Sequence, residues 1–369
     1  MNIGILVVLI FLCVVSSSLE IASNKSIAIL GIMLLTISTL LFSTRNPQVV
    51  PDTQAYIYVY DHIKNANFTD WSIYNYYGFE PGYIFLNICF NKLGASHEVF
   101  FAATYLLQTL MFIRGMKILN NARKIAADNQ ENIKLCTFVS VYLGYIGMFY
   151  GAIVIRTGLA MGAAFLSYSF FRTGKIRNAI TYSIIAVLFH KSVIILLIVI
   201  VTSEFIKYDS IGFYQRWLVA IVFLWLSRIS LILNKLILVF INFIGKMIPL
   251  LNGYMEGGYT NNLMGNGFLS KKNMLYLALG FLFVKLYRKS QEKEYRAALN
   301  IYLIGMTVTF FLNEYSDGYR AYDLMLIFSL PLLLWILTDS KMMKIFNRWI
   351  YAVGVILLQF IITYRIIMK

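Results

Sequence analysis

The strongest constraint on this chain is a series of long stretches that carry no charged residue. Ile3–Leu19, Ile27–Phe42 and Val193–Thr202 are examples. A helix needs about 17 to 25 mostly apolar residues to cross the hydrocarbon of a bilayer. A β-barrel would instead alternate apolar and polar residues in segments of about ten, and no such alternation is sustained. The composition agrees: 59% of the residues are hydrophobic and 13% charged, with mean hydropathy +0.70. Soluble domains are about half apolar and about a quarter charged. The expected fold class is therefore an all-α polytopic membrane protein, with one integral membrane domain over 1–369. The first run has no basic n-region and a second follows closely, so it is expected to remain as a span.

The net charge of +15 does not point to nucleic acid. Lys and Arg collect in the short cytoplasmic loops of membrane proteins, and no basic face with interleaved aromatics stands outside the spans. Cys13, Cys89 and Cys136 lack metal-ligand spacing and sit in or beside apolar segments, where buried thiols are the expectation. No HExxH or CxxC motif is present, so neither a metal nor another cofactor is expected. Membrane lipid is the expected surroundings.

Loop charges orient the chain. Arg114, Lys117, Arg123, Lys124 and Lys134 surround one loop, and Arg172, Lys175 and Arg177 a second. Lys285, Arg288, Lys289, Lys293 and Arg296 mark a third, and Lys341, Lys344 and Arg348 a fourth. These loops are expected inside. Ser43–Glu80 holds Asp52, Asp61, Asp70 and Glu80 against Arg45 and Lys64, and reads as outside, as do Leu250–Lys272 and Asn313–Arg320.

Parity then requires an odd number of crossings between Glu80 and the loop at Asn120–Ile133, and of the two apolar pieces available one is to cross. Phe100–Met116 supplies it. Tyr83–Leu93, short and interrupted by Asn87, Asn91 and Lys92, is expected to lie in the outer interface. Residues 44–97 thus form an external Tyr-rich loop with an interfacial helix. By the same argument 231–272 forms an external amphipathic helix and loop, with Leu231–Met247 along the surface. About twelve spans remain, with both termini outside.

With that topology, the charges that loop position does not explain gather at the outer face: Asp52, Glu80, Arg156, His190 with Lys191, and Arg320. Ionisable groups at membrane depth are costly and mark functional sites. Arg156 joins two apolar runs, and its planar fork suits phosphate. Snorkelling to headgroups is the other reading, but Gly158, Ala160, Gly162, Ala163 and Ala164 favour close helix packing and an inward Arg156. His190-Lys191-Ser192 ends one apolar helix and opens another. There an imidazole either serves as a general base or caps the helix. Arg320 reads either as a second phosphate clamp or as a partner of Asp317 or Asp323. The outer loop is dense in Tyr56, Tyr58, Tyr60, Trp71, Tyr74, Tyr76, Tyr77 and Tyr83. An interfacial belt accounts for some aromatics. Rings beside carboxylates and amides are also what a sugar-binding surface requires.

Several motifs, in order, resemble the EpsG-like branch of the Wzy polysaccharide polymerases. They are Asp52-Thr53 with Tyr56 and Tyr60, Glu80-Pro81-Gly82-Tyr83 with Leu86-Asn87, Ile155-Arg156-Thr157-Gly158-Leu159-Ala160, Phe189-His190-Lys191-Ser192, and Arg320 with Tyr322. One departure is Thr157, where the family usually has Gln.

The resemblance implies a GT-C-like helical bundle in the bacterial inner membrane, acting at the periplasmic face. The implied reaction moves a growing glycan from undecaprenyl diphosphate to a hydroxyl of the next lipid-linked repeat unit, and a chain-length regulator is a conceivable partner. It assigns the diphosphate to Arg156, Arg320 and Lys191, and the base to His190, with Asp52 or Glu80 as alternatives. The acceptor sugar falls to Tyr56, Tyr60, Trp71, Tyr83 and Tyr322. A lipid-linked oligosaccharide flippase or another transporter would need a similar polar pocket, and a membrane acyltransferase would also use an outer-face histidine. A flippase, however, should place its charges along a path deep in the spans rather than at one edge.

Overall fold

A computed structural model describes residues 3–23, 25–48, 50, 52–127, 134–208, 210–227, 229, 271–290, 293–312, 323–338 and 342–367, and every regular element among them is a helix. The expected external helix and loop at 231–272 falls almost wholly outside the described residues. So does the segment Asn313–Arg320. Chain packing divides into two compact units, Met1–Leu197 with Leu333–Lys369, and Ile198–Leu332.

The first unit opens with α1 (Ile3–Ser23) and α2 (Ala28–Ser43). The short α3 (Thr53–His62), a 3-10 helix (Trp71–Gly78) and α4 (Pro81–Lys92) follow. Then come α5 (His97–Ala127), α6 (Leu135–Tyr142) continued by a π-helix (Leu143–Tyr150), α7 (Ile155–Arg172) and α8 (Ile176–Phe189). The division between the units falls within α9 (Val193–Ser203). In the second unit α10 (Ile211–Leu226), α11 (Lys271–Ser290) and α12 (Lys293–Leu312) pack on one another. Within it, Asn300 joins Tyr214 Oη (2.8 Å) to the carbonyl of Ser203. The chain returns to the first unit within α13 (Ser329–Thr338) and ends in α14 (Ile345–Ile367).

α7 is the axis of the first unit. Its residues are small where neighbours must come close, and α5 and α8 both pack against it. Gly158, Ala160, Gly162, Ala163 and Ala164 are all buried, as small-residue packing faces require. α1 packs on α6 and α14. Its last turn carries Glu20, which is fully buried. One carboxylate oxygen accepts from the Ile27 amide (2.8 Å), and the other from the Thr137 amide (2.8 Å) and hydroxyl (3.1 Å). A single carboxylate therefore satisfies donors at the starts of α2 and α6, where helices leave N–H groups unpaired.

The perimeter is apolar where a soluble protein would be polar. Phe11 is 65% and Ile29 74% exposed, and Ile32, Met33, Leu40, Ile180 and Ile184 are exposed as well. Such a surface requires an apolar surrounding. Among the described residues, Gly4–Ser23 and His97–Arg123 are long and apolar enough to cross a bilayer, and seven shorter apolar helices have 10–17 residues. A count taken from apolar runs assumes one straight helix per run. The rod formed by α6 and its π-helix shows how that assumption fails, because the wider turn breaks one run into two regular pieces. Three cations expected at the inner loops are in fact buried at helix ends. They are Arg123, 5.5 Å over the Trp335 ring, Lys134, and Arg348, which donates to the Thr338 carbonyl at the end of α13.

Candidate active site

Two close approaches bring the polar residues together. Glu80 is the N-cap of α4, in extended conformation, and Pro81 occupies the first turn with the φ that a helix start needs. Gly82 follows because there is no room for a side chain: a Cβ there would lie 2.8 Å from the Leu188 carbonyl oxygen, in the last turn of α8. The start of α4 thus sits against the end of α8, where His190 is the C-cap. At the start of α7, Gly158 is equally confined, since its Cβ would collide with the Tyr150 carbonyl and the Gln108 amide. That contact fixes the start of α7, whose first turn carries Arg156.

The Glu80 carboxylate is the hub. Its Oε1 lies 2.6 Å from His190 Nδ1, and its Oε2 accepts from Arg156 Nη1 at 2.5 Å. The Glu80 side chain is 8% exposed, Arg156 20% and His190 18%, so the cluster is shielded yet open at one side. Arg156 lies over the Phe79 ring, 4.0 Å from Cζ to the centroid, and its Nε has no partner. Beneath it, the Phe79, Tyr56 and Tyr83 rings pack with centroids 5.5 to 5.7 Å apart.

Burial opposes ionisation of Glu80, but the hydrogen bond from His190 and the positive charge of Arg156 outweigh it and hold its carboxyl at about 2. An ionised carboxylate accepts and cannot donate. His190 Nδ1 must then be the N–H donor, which leaves Nε2 as the acceptor nitrogen of a neutral ring. Burial pushes the Tyr56 and Tyr83 phenols up, against the pull of Arg156 on both.

The other predicted site residues divide as follows. Asp52 is exposed, caps nothing with its side chain, and is the sole non-glycine with positive φ (62°) among the described residues. Its charge acts on Tyr56, but no hydrogen bond joins it to the Glu80 cluster. Lys191 is exposed in the turn after α8. Tyr60 is buried, with its hydroxyl on the Ala95 carbonyl (2.9 Å) and its ring on Phe100. It holds α3 to the end of α4. Trp71 opens the 3-10 helix. Arg320 and Tyr322 lie outside the described residues. The loop rings that remain exposed include Tyr58 and Phe68, and Phe68 pairs with Phe85 of α4 at 5.4 Å. Phe79 is not among the residues that type and loop position single out; its place beside Glu80 is its only signal in the sequence.

Two expectations follow from this geometry. Gly82→Ala should force α4 away from Leu188 and separate Glu80 from His190. Activity should fall at least tenfold with expression retained, since the misplacement is of order 1 Å. A Gly82→Ala protein with parental activity would show that this approach does not set the site.

The second expectation concerns pH. The folded Glu80 carboxyl titrates at about 2 against an ordinary 4.5. Because its folded value is depressed, its stabilising contribution is complete above about 4.5 and is lost as pH falls toward about 2. That contribution is worth about 2 kcal/mol, allowing for solvent screening at the partly exposed partners. The thermal midpoint of the parent should fall more steeply over that window than that of Glu80→Gln; parallel curves would contradict the assignment.

Residues 28–369 match the model of the EpsG family. Nothing among curated proteins or solved structures matches the chain.

Proposed function

The chain belongs to the EpsG family and is a helical membrane protein, and on that premise we propose that it is a repeat-unit polymerase. It transfers a growing glycan from undecaprenyl diphosphate to a hydroxyl of the next lipid-linked oligosaccharide, at the extracytoplasmic face of the inner membrane. About twelve crossings of the bilayer belong to this reading. The observation that carries it is the Glu80 carboxylate shared between His190 Nδ1 and Arg156.

In this reaction His190 Nε2 takes the proton of the acceptor hydroxyl as its oxygen attacks the anomeric carbon of the donor. The bond from that carbon to the diphosphate oxygen breaks, and its electron pair leaves with undecaprenyl diphosphate. The proton on His190 then passes to solvent at the open side of the cluster. Glu80 keeps Nδ1 protonated and stabilises the imidazolium as it forms, the role a buried carboxylate has beside a catalytic histidine. Fixed positive charge lowers the energy of the departing diphosphate. Arg156 supplies it at the cluster, through the Nε–H that Glu80 does not use. Lys191 and Arg320 are proposed to add to it. Tyr56 and Tyr83, being buried, would form the floor of the site. Exposed rings such as Tyr58 are better placed to stack on sugar.

Complementation tests the proposal. A strain lacking its polymerase makes glycans capped by one repeat unit, and this chain should restore the ladder of longer products where the repeat unit is its own. His190→Ala, expressed at parental level, should leave single-unit caps. A flippase would instead restore surface glycan to a strain that has none. Failure of the parent to restore a ladder in its own glycan background, with restoration in the flippase-deficient strain, would replace the proposal.

A further inference from the structure

A second guanidinium lies close to the cluster and lacks what Arg156 has. Arg45, in the turn after α2, is 5% exposed. Its Nη1 donates to the carbonyls of Ala152 (2.5 Å) and Gly151 (3.4 Å) at the end of the π-helical rod, and its Cζ stands 3.7 Å over the Phe101 ring. Its Nε and Nη2 are buried without a partner. Among the described residues no carboxylate pairs with it. Ala152 stands only four positions before Arg156, so the segment that leads into Arg156 is the one that holds Arg45. Burial pushes Arg45 down to about 10, which leaves it charged at neutral pH, and its charge acts on the Tyr83 and Tyr56 phenols, the two that also feel Arg156. The Tyr83 hydroxyl is likewise buried, and the Asn87 side chain is the polar group that acts on it from its own helix.

A structural role explains only part of this. Cations do cap the carbonyls at helix ends, and Nη1 does so. That leaves two nitrogens, with three N–H groups between them, unpaired and a positive charge without a counter-ion, where burial of either is costly. Proteins bury such a charge when something supplies the opposite one. The groups left unpaired are those that an anion with acceptor oxygens would satisfy.

We infer that Arg45 and Arg156 are two parts of one anion subsite, which takes the diphosphate of the lipid-linked donor, with Arg45 on the second phosphate and the Tyr83 hydroxyl donating to it. The inference rests on the proposed polymerase reaction, whose donor carries that diphosphate. A monophosphate would satisfy one guanidinium, whereas a diphosphate satisfies both.

The test uses the full chain in lipid nanodiscs, with undecaprenyl diphosphate and undecaprenyl phosphate as probes. The parent should bind the diphosphate more tightly than the monophosphate. Arg45→Gln should lose that preference, with diphosphate affinity falling roughly tenfold to a hundredfold, as expected for charge-assisted hydrogen bonds. Its ligand-free melting temperature should be unchanged or higher, because an unpaired buried charge has gone. Arg45→Lys keeps the charge without the fork and should fall between the two, and it carries the test if the Gln protein does not fold. A folded variant with the parental preference overturns the role of Arg45 alone. A parent with no preference for the diphosphate overturns the polymerase reading and this inference with it.

Discussion

Replacing Glu80 by Gln should abolish polymer formation while leaving the protein folded, with transfer slowed about 10²- to 10⁴-fold. The two side chains have nearly the same shape, so the effect isolates charge and hydrogen-bond polarity. In the parent the carboxylate accepts from His190 Nδ1 and from Arg156 Nη1. An amide has one acceptor oxygen and one donor nitrogen. Arg156 can only donate, so it holds the oxygen, and the NH2 is turned to His190. The imidazole must then accept at Nδ1 and carry its proton on Nε2, which is the wrong tautomer for a base. Arg156 also loses its counter-charge in a site where the carboxylate is 8% exposed. Glu80→Asp keeps the charge but is one methylene shorter, and cannot reach both partners; it should lose about tenfold to a hundredfold, as for removal of a supporting group. The measurement is transfer of radiolabelled repeat units in membranes, normalised to protein. Parental activity in Glu80→Gln would remove the carboxylate from the mechanism.

The helical class was legible because uncharged runs such as Ile27–Phe42 are incompatible with a water-facing chain. Two close approaches that assemble the site had no such signature. Gly82 reads in sequence as part of a turn. Its purpose, contact with the Leu188 carbonyl, depends on a residue 106 positions later. Without that contact Glu80 is one more carboxylate in an acidic loop, and the assignment of base was open among His190, Asp52 and Glu80. The geometry joins two of them and not the third: Glu80 is bonded to His190 Nδ1, whereas Asp52 has no hydrogen bond to the pair and holds a left-handed conformation.

Tyr60 and Arg45 show the converse difficulty. Tyr60 belongs by type and spacing to a sugar-binding loop, yet its hydroxyl is taken by the Ala95 carbonyl. Arg45 counted only as a minor positive charge in an external loop, and it is among the most buried cations of the described chain. Residue type states what a side chain is able to do, and packing decides whether it is free to do it. Arg320 and Tyr322, the last members of the motif series, fall outside the described residues.

Arg156→Lys separates the two roles the guanidinium holds. If Arg156 served only as counter-ion to Glu80, a lysine ammonium would pair with the carboxylate and activity would be close to parental. The geometry assigns it more. One planar group stacks on Phe79 at 4.0 Å, donates to Glu80 through Nη1, and leaves an unpaired Nε–H, the donor proposed for the leaving diphosphate. A lysine concentrates its charge at one nitrogen, stacks less well, and cannot present donors in two fixed directions. Arg156→Lys should therefore lose about 10²-fold in transfer, the scale of one preorganised donor to developing charge. Its thermal midpoint should fall much less than that of Arg156→Ala, which strands the Glu80 carboxylate without its cation. The two readouts point in different directions for the two roles. A lysine variant that is stable and slow supports the phosphate contact, and one that is stable and fast confines Arg156 to holding Glu80 in place.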